Sequence, residues 1–289
     1  NTLDRFAAMA ATPILLNLCM ITALISFSAT TETPGHALAW SIAVAGVVQF
    51  VWLSAALKRE GVRLHFGRPA LSPEIKRLLK LFLPVALGAG VYQVNLIIDL
   101  IIASLLPTGA ISYLYFADRV NQLPLGVVGI AVGTALLPLL ARQVKAGETE
   151  AALTNQNKAI EYSMLLTLPA CAALLVLAVP ITVVLFERGA FTGSDASATG
   201  YALAAFACGL PAYVLIKVLA PGYFARENTA TPIKIGIFAM AVNVALNLLL
   251  MGPLAHVGIA LATAISAWLN AGLLGFGLWR RGHFTPDRN

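Results

Sequence analysis

Polar positions are sparse along this chain, and they gather into short groups that separate long apolar runs. A helix of about 20 apolar residues is enough to cross a bilayer, and the runs predict eight spans. These lie at about 6–27, 36–57, 73–106, 111–141, 158–186, 196–220, 232–251 and 257–279. The punctuation between them is of the turn kind. Thr30 to Gly35 is short and polar, Pro107-Thr-Gly109 is a tight turn, and Glu187 to Asp195 is a compact loop. Ser72 followed by Pro73 and Glu74 predicts a helix start, with a cap, a proline at the first helical position and an early acid. Lys76, Arg77 and Lys80 then lay the first part of that helix along the interface before it enters the third span. A polar linker is expected over 142–157.

Composition places the pattern in a membrane. Apolar residues make up 59%, charged residues 11%, and the mean hydropathy is +0.83, whereas a soluble domain carries about 25% charged residues. The net charge of +6 would suggest nucleic acid until the charges are located. With eight spans, all of the 19 basic residues except Arg119 and Arg188 fall on one set of alternating ends and loops. By the positive-inside rule that set is cytoplasmic, both ends of the chain included, and its charge faces anionic phospholipid rather than nucleic acid. Cys19, Cys171 and Cys208 lie in apolar runs without paired spacing, which indicates neither a disulfide framework nor a zinc site. The chain opens on Asn1-Thr-Leu-Asp-Arg5 without an initiator Met, which suggests a piece of a longer protein. No P-loop, zinc-protease motif or nucleophile elbow is present, which argues against an enzyme or an ATP-driven pump.

The chemistry is inside the spans. In the fourth, Ser112, Tyr115 or Phe116, Arg119 and Gln122 follow helical i, i+3, i+4, i+7 spacing and share one face. At ~1.5 Å per residue Arg119 is roughly 15 Å of helix beyond the Pro107–Gly109 turn. An ionisable group at that depth costs at least ~2.5 kcal/mol, so it should face water, a partner or a substrate. A guanidinium in a cavity suits a bidentate phosphate or carboxylate. Asp118, one residue away, points elsewhere on the helix. On the third span Gln93, Asn95 and Asp99 interrupt an apolar run. On the seventh, Asn243 and Asn247 share a face, and on the eighth Thr263 lies at comparable depth. One carboxylate with amide and hydroxyl oxygens suits a monovalent cation, Na+ or a proton. The alternatives are interhelical hydrogen bonding for the neutral residues and a structural Asp99–Arg119 pair across the antiparallel third and fourth spans. Pro84 with Gly88 and Gly90, Pro124 with Gly126, Gly129 and Gly133, and Gly209-Leu-Pro211 would bend helices or let them pack closely.

At these residues the chain resembles a known family. Tyr115-Phe-Ala-Asp-Arg119, Gly129-Ile-Ala-Val-Gly-Thr134 with Leu137-Pro138, Lys217-Val-Leu-Ala-Pro-Gly222-Tyr-Phe-Ala-Arg226 and Thr231-Pro-Ile-Lys234 are similar to the MurJ/MviN lipid II flippases. These belong to the multidrug/oligosaccharidyl-lipid/polysaccharide exporter superfamily. Leu15-Leu-Asn17-Leu-Cys-Met-Ile21 and Phe191-Thr192 fit as well, so the resemblance extends over the whole chain. It implies an all-α polytopic membrane protein of two six-helix lobes around a central cavity, in the bacterial inner membrane. Residues 1–57 would be the last two helices of the first lobe and 58–77 a basic cytoplasmic joining segment. Residues 78–280 would be the complete second lobe and 281–289 a cytoplasmic tail. The resemblance implies a monomeric transporter that moves undecaprenyl-pyrophosphate-linked disaccharide-pentapeptide between leaflets by alternating access, driven by membrane potential or an ion gradient. Arg119 and Ser112 match functional positions of the family. Gln122 stands where members often carry Glu, and Asp99 where some carry Asn. The alternatives are a related drug/cation antiporter or polysaccharide-lipid exporter, and a membrane scaffold in which Asp99 and Arg119 merely pair.

Overall fold

The computed structural model describes residues 7–27, 34–59 and 73–284, and among them every regular element is a helix. The basic segment at 60–72, Ser72 with its expected capping role, and the end of the tail at 285–289 lie outside the described residues. The chain divides into two compact units between Ile75 and Lys76.

The first unit holds α1 (Ala7–Ala10), α2 (Thr12–Phe27) and α3 (Pro34–Arg59). The first predicted span is thus broken at Ala11, ahead of Pro13, whose missing N–H suits a first helical turn and not an interior. Gln49 Nε2 donates to the carbonyl of Thr12 at 2.8 Å, and Trp52 Nε1 to that of Ala8 at 3.0 Å. These bonds clamp the start of α2 against α3. No residue of α2 is buried, as expected for an apolar helix whose solvent is lipid.

The second unit opens within α4 (Pro73–Ser104), a helix that starts on the predicted proline. Gly109, at φ +103, turns the chain into α5 (Ala110–Pro124). A π-helical turn (Leu125–Ile130) then leads into α6 (Ala131–Lys145). The fourth span was expected to bend or pack closely around Pro124 with Gly126, Gly129 and Gly133. It is continuous, but it is wound wide where Pro124 withholds a backbone donor, a common cause of a break in the i→i−4 ladder. The expected linker over 142–157 shrinks to three residues, because α7 (Thr149–Val176) begins at Thr149. Polar residues alone do not make a loop; Gln156 and Asn157 are buried in that helix.

The fifth predicted span breaks at Leu177, and α8 (Ala178–Phe186) follows. The sixth is two helices, α9 (Gly193–Ala207) and α10 (Leu210–Phe224), divided at Cys208-Gly209 ahead of Pro211. α9 starts on a full capping box. The Asp195 N–H bonds the Thr192 hydroxyl, and the Thr192 N–H donates back to the Asp195 carboxylate at 2.8 Å. α11 (Ala230–Arg280) is written as one helix of 51 residues but turns back at Ala255, at φ 48 and ψ −130. Its two halves are the seventh and eighth predicted spans, since Asn243 meets Thr263 across them.

The core of this unit mixes leucine, valine and phenylalanine with small residues. Ala117, Leu174, Ala178, Leu203, Phe206, Leu210 and Ala260 form its centre, where α5, α7, α8, α9, α10 and α11 meet. A second cluster of Leu136, Leu140, Val214 and Val218 joins α6 to α10. Alanine and glycine let backbones approach where hydrocarbon outside is as apolar as the interface, so packing rather than water exclusion drives association. A Cβ on Gly200 would lie 2.7 Å from Val179 Cγ2 and 2.8 Å from Val179 Cα, so α8 and α9 touch backbone to backbone. Among the described residues five helical segments are long and apolar enough to cross a membrane, namely Ala8–Phe27, Gly35–Arg59, Thr149–Val176, Gly193–Phe224 and Ala230–Arg280. The chain is a multi-pass membrane protein.

Candidate functional site

Two polar sites interrupt the second unit. The first is the outward face of α5. Ser112, Tyr115 and Arg119 are exposed and Gln122 is half-buried, while Ala117, Val120 and Asn121 on the other face are buried. Helical spacing places the four together. The Arg119 guanidinium lies 4.9 Å from the Tyr115 ring centre and approaches Gln122 Oε1 at 3.5 Å. Gln122 Nε2 in turn donates to Asp118 Oδ2. Gln122 therefore stands between guanidinium and carboxylate, holding Asp118 to its own side while Arg119 stays open. Phe116 turns away from this face, packing on Phe186 and Phe191 with ring centres 4.8 and 5.5 Å distant. Of the two aromatic residues that spacing allowed, Tyr115 carries the stripe.

The second site has a buried centre, Asn243 and Asn247, with Asn95, Asp99 and Thr263 half-buried around it. Asp99 on α4 accepts from Asn247 Nδ2 at 2.6 Å and from Asn95 Nδ2 at 3.0 Å, one turn earlier on its own helix. Asn247 Nδ2 also lies 3.1 Å from Asn243 Oδ1. Asn243 and Asn247 are 1% and 0% exposed, so their amides depend on these partners. Asn243 reaches Thr263 Oγ1 at 3.3 Å, and that hydroxyl donates to the Ile259 carbonyl at 2.9 Å. With the Asn243 amide turned over, its nitrogen lies 3.0 Å from Asp99 Oδ1 and 3.2 Å from Asn95 Oδ1, with its oxygen facing Thr263. Asn247 Oδ1 is buried without a hydrogen-bond partner. Asp99, Asn243, Asn247 and Thr263, picked from three separate stretches of sequence, thus meet in one cluster, with Asn95 as a fifth member. Asn95 interrupts the same apolar run four residues before Asp99, and that i, i+4 spacing was the signal for it.

The Asp99–Arg119 pair is not formed. Both oxygens of Asp99 are taken by asparagine amides, and Arg119 lies over Tyr115. The two charges belong to different sites.

A third feature had no forewarning. The Tyr113 hydroxyl donates to Asp195 Oδ1 at 2.6 Å, and its ring lies 5.2 Å from that of His256, whose Nε2 is 3.0 Å from the Ala198 carbonyl. The starts of α5 and α9 and the turn of α11 are knotted together there. The Thr192 and Tyr113 hydroxyls and the Thr192 N–H all donate to the Asp195 carboxylate.

The family model described as lipid II flippase MurJ matches residues 1–289. The chain belongs to the lipid II flippase MurJ family. It is 48% identical over 288 residues to the probable lipid II flippase MurJ of Rhizobium tropici, covering 99% of this chain and 54% of that protein. The probable lipid II flippase MurJ of Vibrio cholerae is 39% identical, with 100% and 55% covered. The lipid II flippase MurJ of Burkholderia cenocepacia is 34% identical, with 99% and 56% covered. The chain therefore spans about half the length of the relatives it matches. Among solved structures it is similar to a lipid II flippase MurJ in an inward closed conformation. That match has a TM-score of 0.79 and 25% identity, over 98% of this chain and 58% of that one. An outward-facing multidrug resistance transporter of the MOP superfamily shares the fold at a TM-score of 0.58 and 18% identity, over 71% and 47%. The family's members are transporters rather than catalysts.

Proposed function

We propose that the full-length protein is a lipid II flippase. It would carry undecaprenyl-pyrophosphate-linked disaccharide-pentapeptide from the cytoplasmic to the periplasmic leaflet of the bacterial inner membrane, for peptidoglycan synthesis. Residues 1–57 and 78–280 belong to its two lobes, joined through 58–77, and both ends of this stretch are cytoplasmic. The protein acts as a monomer, with phospholipid around it, and the lobes alternate access to the two sides.

The observation that carries this reading is Arg119, exposed on a polar face of an otherwise apolar helix and, among the described residues, in no ion pair. A guanidinium presents a rigid fork that matches phosphate oxygens two at a time. Ser112, Tyr115 and Gln122 add donors along the same face, and Asp118 orients Gln122. The buried cluster supplies the driving force. One carboxylate among four neutral side chains balances one positive charge, so Na+ or a proton binding Asp99 would couple the movement of α4 and α11 to an ion gradient.

The test is rescue of cells depleted of their own lipid II flippase by full-length variants at matched membrane levels. Arg119→Ala removes charge-assisted hydrogen bonds worth about 1.5–3 kcal/mol, an affinity loss of roughly 10- to 100-fold, and should not rescue. Arg119→Lys keeps the charge but not the fork, and should rescue poorly. Full rescue by Arg119→Ala would refute the proposal.

A further inference from the structure

Lys217 is a second basic side chain that the transport face leaves unexplained. It lies seven residues before the end of α10, between Val214 and Val218, which are both fully buried, yet it is itself exposed. Among the described residues no carboxylate pairs with it. Its stem is laid against the helix that carries Arg119. A Cβ on Gly129 would fall 2.7 Å from Lys217 Cδ and 3.5 Å from Cε, beside Leu125 Cδ1 at 3.3 Å. Glycine at 129 is what lets the lysine pass there, inside the π-helical turn. Gly129 lies seven residues beyond Gln122 on the same continuous helical run. From Arg119 to Gly129 is ten residues, or roughly 13–15 Å along the axis.

A lysine that merely snorkels would run its stem outward along its own helix toward the interface. This one crosses to a neighbouring helix. An ammonium in an apolar bundle without a protein counter-ion is costly, and an anion that visits the face removes that cost.

We propose that Lys217 is a second phosphate-binding residue on the translocation path, one step from Arg119 toward the end where Arg142 and Lys145 lie. The ligand class is a diphosphate, here the pyrophosphate of a polyprenyl-linked headgroup. The proposal rests on the flippase reading above and deepens it. Arg119 grips by shape. Lys217, a compact charge on a flexible stem, follows a phosphate over several ångströms, which suits a ligand in transit.

The test uses the purified full-length protein and measures binding of undecaprenyl pyrophosphate, with inorganic pyrophosphate as competitor, at low and high salt. Lys217→Met keeps the stem packed on Gly129 and removes only the charge, and a thermal melt of each variant checks its fold. Lys217→Met should bind the lipid about tenfold more weakly, with a shallower salt dependence, and Lys217→Arg should restore both. Inorganic pyrophosphate should also compete less well against Lys217→Met, which places the loss on the phosphates rather than the lipid tail. Unchanged binding in Lys217→Met alongside weakened binding in Arg119→Ala overturns this proposal and leaves the flippase reading standing. Unchanged binding in both overturns the two together. Weakened binding that Lys217→Arg fails to restore, or unaltered pyrophosphate competition, assigns Lys217 a packing role and also overturns it.

Discussion

Asp99 shows how one carboxylate can be kept in an apolar bundle without a salt bridge. Three asparagines surround it, and two of them donate to it directly. A neutral amide shell stabilises the negative charge while leaving it uncompensated, which is the condition for taking up a small cation. This predicts that Na+ in place of choline, at equal ionic strength, raises the melting temperature of the full-length protein. A ligand present at 100 times its dissociation constant adds about 2.7 kcal/mol. Asp99→Asn should abolish the Na+ effect while leaving a folded protein. If the wild type ignores Na+ but its melting temperature depends on pH through Asp99, the coupling ion is the proton. Indifference of the wild type to both would remove the coupling role. The sequence made this cluster legible because each member breaks an apolar run, and a break inside a span stands out. Lys217 was harder to see. It falls near a helix end where basic residues are expected, and only the glycine-sized gap at 129 separates it from the ordinary interfacial lysines.

The helices were legible as apolar runs, but their interruptions were only partly so. Pro124 and Gly209-Leu-Pro211 mark bends that the structure contains. The break at Leu177 carries no such mark at its own position; the nearest is Pro180, three residues on. Close approach is likewise written in small residues whose partners the sequence does not name. Gly200 is one. Its hydrogen meets the Val179 backbone, so a methyl group cannot be absorbed by moving a side chain. Gly200→Ala should destabilise the second unit by about 1–3 kcal/mol, the usual cost of overpacking. Loss of detergent-solubilised protein on mild heating would register it. A melt equal to wild type would mean that α8 and α9 can separate freely. Gly236, by contrast, has open space around its missing Cβ, so Gly236→Ala is the control.

At the scale of the whole molecule, the knot of Tyr113, Asp195 and His256 fastens the starts of α5 and α9 to the turn of α11. No periodicity announces it, since its members lie in turns and first helical residues. Asp195→Asn takes the charge out of the bonds from Tyr113 and Thr192, so it should loosen the start of α9, seen as faster amide exchange at residues 193–196 at neutral pH. Exchange as slow as in the wild type would show that these bonds carry no weight.

The wide turn at Leu125–Ile130 bears on how the molecule tolerates change in length. Elsewhere in a helix, losing one residue swings everything before it by 100° about the axis. A π-helical turn already contains one residue more than an α-helical turn needs. Removing a residue there closes the turn into ordinary helix and leaves the two flanks facing as before. The molecule thus holds, between Arg119 and its basic end, a spare residue: slack in the thread at a place where taking it up does not turn Arg119 away from its face.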